Sequence, residues 1–250
     1  MNNSLNVVDK IYPSNNYGDM KIVEYNGWDN VKVQFLNTGY TTICQMSQLR
    51  AGNVRDKSLP SNQGIGIVGN KYPTIINGKE CHEYNTWSGI IRRCYDDRHS
   101  LKSASYKDCT VSENFKSYEY FYEWCQKQIG FGNYGWQIDK DLLIKGNRVY
   151  SEDTCVFVPV EINIALINRK KDRGNYPLGV NRRENGRFQS SVYMLGARKY
   201  LGTYDTPEDA FMVYKQAKEQ YLQHLAYKWE LYIDPRAFEA LLHYNVDIND

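Results

Sequence analysis

Asp139, Lys140 and Asp141 stand in a row at the end of the apolar stretch Trp136-Gln137-Ile138, and a Gly146-Asn147 turn follows. Two carboxylates one residue apart offer hard oxygen ligands of the kind that hold Mg²⁺ (or Mn²⁺). A metal held there would stabilise charge developing on a phosphate and its leaving oxygen, which is half of what phosphodiester hydrolysis needs. The other half is a base that activates water. The ordinary lysine pKa of ~10.4, raised further by neighbouring carboxylates, makes Lys140 a phosphate clamp rather than a base. The same three residues also read as a strand end whose charges pair among themselves. Histidine occurs at positions 82, 99, 224 and 243. His82 and His99 flank a helical segment that could approach the hairpin, and neither is a strong candidate base.

A second concentration of chemistry lies further on. From Arg169 to Lys199 there are nine lysines and arginines (169, 170, 171, 173, 182, 183, 187, 198, 199) against two acids, Asp172 and Glu184. A net charge of +2 over the whole chain hides this patch, which is of the sort that neutralises phosphates. Tyrosine is abundant, at 22 residues, and suits small cores and wet binding surfaces because its ring packs while its hydroxyl stays solvated.

Three blocks position these residues. In the first, alternating Ile22, Tyr25, Val31, Val33 and Phe35 around Asn26-Gly27-Trp28-Asp29-Asn30 predict a β-hairpin. Gly64, Gly66 and Gly69 read as turns, since no Lys-Ser/Thr and no helix pattern follows them. The block over residues 1–75 is a small β-rich, SH3-like module by analogy. In the second block, residues 76–170, Tyr84, Trp87, Ile90 and Cys94 recur at helical spacing. A second helix is predicted from Phe115 to Ile129, capped by Asn114. The Asp139 hairpin follows, and then a helix started or kinked near Pro159. In the third block, residues 171–250, Glu184-Asn185-Gly186 and Leu195-Gly196-Ala197-Arg198 sit where hairpin turns would join three short strands. Thr206-Pro207-Glu208-Asp209 is a helix start, with a threonine N-cap, proline at the first position and acids in the first turn. A last short helix is predicted over residues 235–242. The fold class is therefore α+β.

Within the third block, Gly179-Val180, Gly186-Arg187-Phe188 and the run from Tyr200 through Leu201-Gly202-Thr203-Tyr204-Asp205 to Ala210 carry a likeness. They resemble the plant ethylene-response-factor (APETALA-type) DNA-binding domain, found also in phage and bacterial homing-type endonucleases, over about one fifth of the chain. The resemblance implies a three-stranded antiparallel sheet backed by one helix, with the exposed sheet face in the major groove. Arg182, Arg183, Arg187, Arg198 and Lys199 fall on or beside the predicted strands. Gln189 and Tyr193 share the exposed face with Arg187 if strand alternation holds, and arginine can pair bidentately with guanine. The alternative is a small α/β fold with a cationic solvent face.

The middle block is similar to the HNH endonuclease-like proteins common in phages. The likeness rests on Trp87 to Arg93-Cys94-Tyr95, on Phe115 to Trp124, and on Ile138-Asp139-Lys140-Asp141 leading to Tyr150-Ser151 and Cys155; it spans about residues 81–168. It implies a hairpin and helix around one divalent metal (the ββα-metal arrangement), with a strand histidine as base and a loop asparagine orienting it. Here Asp139 and Asp141 would be the metal ligands and Asn147 the loop asparagine, while Lys140 takes the histidine's place. Asp139, Lys140 and Asn147 are then the catalytic candidates. Some HNH proteins are stapled by zinc. Cys94, Cys109 and Cys155, with His82, His99 or Cys81, could supply four ligands, although their spacing follows no recognised pattern.

The resemblance implies a phage metal-dependent DNA endonuclease of the homing type, acting on double-stranded DNA. The alternative is a DNA-binding or regulatory protein without catalysis on the same scaffold, since Lys140 replaces the base. RNA binding is weaker, because A-form RNA closes its major groove to such a sheet. Six cysteines without a C-x-x-C pair, no apolar stretch of membrane-spanning length and an N-terminus unlike a signal peptide predict a reducing cytoplasm, a host's if the chain is phage-encoded.

Overall fold

The computed structural model describes residues 7–98, 106–167 and 176–250. The fold is α+β, built from several small sheets and the helices around them. By contacts the chain divides into two compact units, residues 1–107 with 113–122, and residues 108–112 with 123–250. The dividing line runs through the segment expected to form the middle module. Among the described residues no helix is long and apolar enough to cross a membrane.

In the first unit, β1 (Ile11–Pro13), β2 (Asp19–Tyr25), β3 (Val31–Phe35) and β4 (Thr41–Cys44) pair antiparallel in chain order. The predicted alternation holds: Val31, Val33 and Phe35 turn inward onto Met20 and Ile22, and α1 (Met46–Arg50) closes that core with Met46 and Leu49. A small hairpin of β5 (Ile75–Ile76) and β6 (Lys79–Glu80) leads into α2 (His82–Tyr95), which buries Trp87, Ile90 and Ile91. The Trp87 Nε1 donates to the Phe115 carbonyl at 2.8 Å, and its ring lies 5.5 Å from that of Tyr118. These contacts explain why residues 113–122 belong with the first unit although they are distant in sequence.

The helix predicted from Phe115 to Ile129 is shorter and starts later. The chain makes a 3₁₀ turn at Asn114–Lys116 and then α3 (Tyr118–Cys125). Asn114 is inside the turn, and Ser117 does the capping, its Oγ accepting from the Tyr120 N–H at 3.3 Å. Beyond α3, Gly130 takes φ +85°, and a Cβ there would stand 2.1 Å from the Trp136 ring. A glycine in that conformation, with an indole against it, cannot continue a helix.

The second unit holds β7 (Thr110–Val111), parallel to β9 (Val149–Tyr150), and β8 (Trp136–Asp139), antiparallel to β10 (Val156–Pro159). Pro159 marks the helix start, and α4 (Val160–Leu166) follows it; the residues before it, Val156 to Val158, are a buried strand rather than helix. Next come β11 (Val180–Arg182), β12 (Phe188–Met194) and β13 (Ala197–Tyr204), an antiparallel sheet in chain order with turns where the sequence placed them. Then α5 (Pro207–Trp229) begins as predicted, the Thr206 Oγ accepting from the Asp209 N–H at 3.1 Å, and α6 is Pro235–Leu242.

Two cores share α5. At 23 residues it is about 34 Å long, enough to span both. Its first turns pack Ala210, Phe211 and Tyr214 against Val180 and Val192 of the sheet. Its later turns pack Tyr221, Leu222, Leu225 and Ala226 against Val156, Val158 and Ile162 of the hairpin and α4, with Ala237 and Leu241 of α6. Close packing reaches the backbone at Gly179 (φ +78°), where a Cβ would stand 2.0 Å from the Tyr214 ring. Between the two zones Lys218 is buried, its ammonium donating to the Ala165 carbonyl, and burial lowers its pKa to about 8.

Candidate nucleic-acid interface

Asp139 is the last residue of β8, paired with Val156, and the chain then turns sharply. Its Oδ1 accepts from the backbone N–H of Asp141 (2.8 Å) and of Leu142 (2.7 Å), an arrangement in which a carboxylate replaces a backbone turn acceptor. Lys140 does not face outward as a clamp would. It is 6% exposed, its Nζ donates to the Asn147 carbonyl at 3.0 Å, and it lies 3.2 Å from the Asp141 Oδ2. Asn147 answers it: Nδ2 donates to the carbonyls of Lys140 and Val149, both at 2.7 Å, and Oδ1 accepts from the Val149 N–H at 3.2 Å. The two residues thus close the loop on itself, and the strand-end charges pair locally. What the geometry leaves for a cation is the pair Asp139 and Asp141.

Burial first, and then the negative charge of Asp141, raises the Asp139 carboxyl from its ordinary 3.8 to about 6. Between these values the folded chain holds more protons than the unfolded one, so this group's contribution to stability falls as pH rises from 3.8 to about 6. Asp139→Asn keeps an oxygen for the two backbone donors and removes the charge. It is expected to raise stability at neutral pH by roughly 1–3 kcal/mol and to flatten the pH dependence in that window. Urea unfolding at several pH values reads both, and an unaltered slope in the variant contradicts the assignment.

Sequence reasoning missed two neighbours of this loop. His243 lines a cleft with Leu143, Lys145 and Gly146. Tyr244 has its hydroxyl raised to about 12, by burial first and then by Asp250, Asp141 and Asp139. Both lie about a hundred positions from the hairpin in sequence, and no local signal links them to it. His243 is exposed, with Nδ1 3.5 Å from the Glu239 Oε2, and His99 lies outside the described residues. Among the described residues no three His, Cys, Asp or Glu side chains converge on a metal position. Burial pushes the Cys155 thiol up to about 12.

The sheet gives a different picture. Register places Asn181, Gln189 and Thr203 in one row across the three strands, Ser191 beside Tyr200 in the next, and Tyr193 beside Arg198 in the third. These positions alternate with Val180 and Val192, which face α5, so they form the side that α5 does not cover; Ser191 at its centre is buried, and Ile164 and Ile167 line a cleft with Asn181, Ser191, Tyr193 and Arg198. A bulge makes the face continuous. Pairing passes from Ser190–Gly202 to Ser191–Tyr200, which skips Leu201 and lets Tyr200 and Thr203 share a side.

No protein-family model, no curated protein and no solved structure matches the chain.

Tyr193 is 53% and Tyr200 62% exposed, large aromatic surface left to solvent beside a cation. The Arg198 Nε donates to the Ser191 Oγ at 2.9 Å, which holds the guanidinium across the sheet with its two terminal nitrogens free of protein partners among the described residues. Arg187 sits at the turn end of β12, its Nε 2.8 Å from the Asp205 Oδ1 and its Nη2 3.2 Å from the Thr203 carbonyl. Arg182 is paired with Phe188 and Lys199 with Val192, so alternation sends these two toward the helix side, where they reach solvent on the edge strands. Arg183 lies in the turn, its N–H donating to the Arg187 carbonyl at 2.8 Å. Of the expected contacts, Gln189, Tyr193 and Arg198 share the open face, Arg187 flanks it, and Arg182, Arg183 and Lys199 surround it. Asn181, Tyr200 and Thr203 are additions that the bulge and register bring in. Arg169, Lys170, Lys171 and Arg173 lie outside the described residues.

Proposed function

We propose that the chain binds duplex DNA by laying the open face of β11, β12 and β13 in the major groove. The observation that carries this reading is the register that sets Gln189, Tyr193, Arg198 and Tyr200 on the side of a three-stranded sheet that, among the described residues, α5 does not cover. Arginine pairs with guanine O6 and N7, glutamine with adenine N6 and N7, and both need a groove wide enough to admit a ribbon. Lys199, Arg182 and Arg183 at the margins are suited to flanking phosphates. The setting that fits is a phage protein acting on DNA in a host cytoplasm. Titrating labelled duplex, single-stranded DNA and double-stranded RNA at several salt concentrations tests it. Duplex DNA should bind tightest, with log K falling linearly against log salt; equal affinity for all three would sink the proposal.

A second reading, metal-dependent cleavage of that DNA, is favoured by the Asp139–Asp141 pair. The Asp139 and Asp141 carboxyls lie within side-chain reach of each other, and Asp141 is half-exposed. Two carboxylates are enough for a Mg²⁺ ion, or Mn²⁺, that keeps several waters. Asn147 does not fit as a ligand or as a histidine's partner, because its amide is spent on the loop. Supercoiled plasmid incubated with either metal should be nicked by the wild type and spared by Asp139→Asn/Asp141→Asn; plasmid left intact with both metals leaves DNA binding without cleavage.

A further inference from the structure

The first unit carries a polar cleft that the sheet and the hairpin do not explain. It holds about 350 Å³, at the lower end of small-ligand sites. One wall is the segment 52–57, where burial alternates residue by residue. Val54 and Asp56 point in, 6% and 1% exposed, and Arg55 and Lys57 point out on the same side. Asp56 is consumed where it stands: its carboxylate takes the Thr38 hydroxyl at 2.5 Å, the Ser58 N–H at 2.9 Å and the Ser58 hydroxyl at 2.6 Å. It fixes the wall and leaves the two cations without a carboxylate. Among the described residues neither Arg55 nor Lys57 makes an ion pair or a side-chain hydrogen bond.

The opposite wall is equally fixed. Residues 61–66 form a tight turn, with the Gly66 N–H donating to the Asn62 carbonyl at 2.8 Å, and the Asn62 side chain donates to the Ser88 hydroxyl of α2 at 3.0 Å. Ser61, Gln63, Thr74 and Tyr84 line the cleft, and among the described residues their side chains make no hydrogen bond. Burial raises the Tyr84 phenol, which keeps it a donor. Two cations and a set of hydroxyl and amide groups, on walls fixed by hydrogen bonds, with the single acid of the lining, Asp56, buried and held by Thr38 and Ser58, make a site for a compact multivalent oxyanion.

We propose that this cleft binds a phosphate group, with Arg55 and Lys57 as its charge partners and Ser61, Gln63, Thr74 and Tyr84 as hydrogen-bond donors. The phosphate comes either from a free nucleotide or from a nucleic-acid backbone. The site is independent of the groove-reading face, and its test stands whether or not that face binds DNA.

The test uses the full chain and calorimetric titration with inorganic phosphate, thymidine monophosphate and a short duplex oligonucleotide. Arg55→Gln/Lys57→Gln is compared with Lys10→Gln/Lys79→Gln, which removes the same charge from exposed sites elsewhere in the unit. All four positions are solvent-facing, so matched circular-dichroism melts should confirm folding. The cleft variant is expected to weaken phosphate binding by about tenfold per cation lost, and the control by no more than about twofold. Loss with the two small probes assigns the site to free nucleotides, and loss with the duplex alone assigns it to backbone phosphate. Arg198→Ala should leave the small probes unaffected. Equal behaviour of the two double variants with every probe overturns the proposal.

Discussion

Arg198→Ala is expected to lower affinity for a preferred duplex by about ten- to hundredfold, with the loss concentrated at one or two base positions. The Arg198 guanidinium stands at the open side of the sheet, oriented by the Ser191 hydroxyl and with its terminal nitrogens available. A bidentate arginine–guanine pair is worth about 1–3 kcal/mol of discrimination, and such a pair needs an oriented side chain to form. Tyr193→Ala removes a half-exposed ring next to it and should cost less, since the ring contributes packing rather than readout. Lys199→Ala and Arg182→Ala point elsewhere. They should weaken all sequences alike and reduce the salt slope by about 1 each. Competition titrations against duplexes altered one base pair at a time separate these outcomes. An Arg198→Ala protein with unchanged affinity and unchanged sequence preference would remove that residue from the interface.

The largest stability effect is expected at Trp87→Ala, which should cost the first unit about 3–5 kcal/mol. The indole is fully buried and packs on Tyr84 at 5.8 Å and Tyr118 at 5.5 Å, so truncation opens a cavity among aromatic rings. It also strips the Phe115 carbonyl of its 2.8 Å donor inside the core, which adds an unmet hydrogen bond. Because that bond ties α2 to residues 113–122, the loss reaches a segment far away in sequence. For a domain stable by about 5–15 kcal/mol such a change leaves little margin at physiological temperature. Urea unfolding followed by circular dichroism reads it, and a shift below about 1 kcal/mol would show that the ring is not the keystone of this core.

Features set by neighbouring residues were legible in the sequence. Thr206, Pro207 and the acids after them specify a helix start through local hydrogen bonding and fixed φ, and α5 begins there. The turns at Asn185-Gly186 and Leu195-Gly196, the hairpin around Gly27 and the helix over Pro235–Leu242 follow from equally local chemistry. What failed to show was decided at a distance. Nothing in the spacing of Tyr221, Leu222 and Leu225 says that they cover the Asp139 hairpin while Ala210 and Tyr214, on the same helix, cover the sheet. The helix predicted through Ile129 ends at Cys125, beyond which the Lys127 and Gln128 N–H groups donate to carbonyls three residues back, those of Trp124 and Cys125.

The candidate site divides in the same manner. Strand alternation was enough to set Gln189 and Tyr193 on one side, because β12 keeps its period. The partner strand does not: a bulge at Leu201, beside Gly202 at φ +132°, brings Tyr200 and Thr203 to that face. At the hairpin, residue types named the carboxylates but not their commitments. The Lys140–Asn147 clasp depends on the loop closing over seven positions, and only the closed loop shows that both side chains are already in use.

Amide hydrogen exchange of the full chain with and without saturating duplex tests the groove-reading face most directly. Protection is expected to rise across β12 and β13, at Gln189 to Tyr193 and at Arg198 to Thr203, with α5 unchanged beneath them. Protection confined to other segments, with that sheet unaltered at saturation, would contradict the assignment of the DNA-binding face.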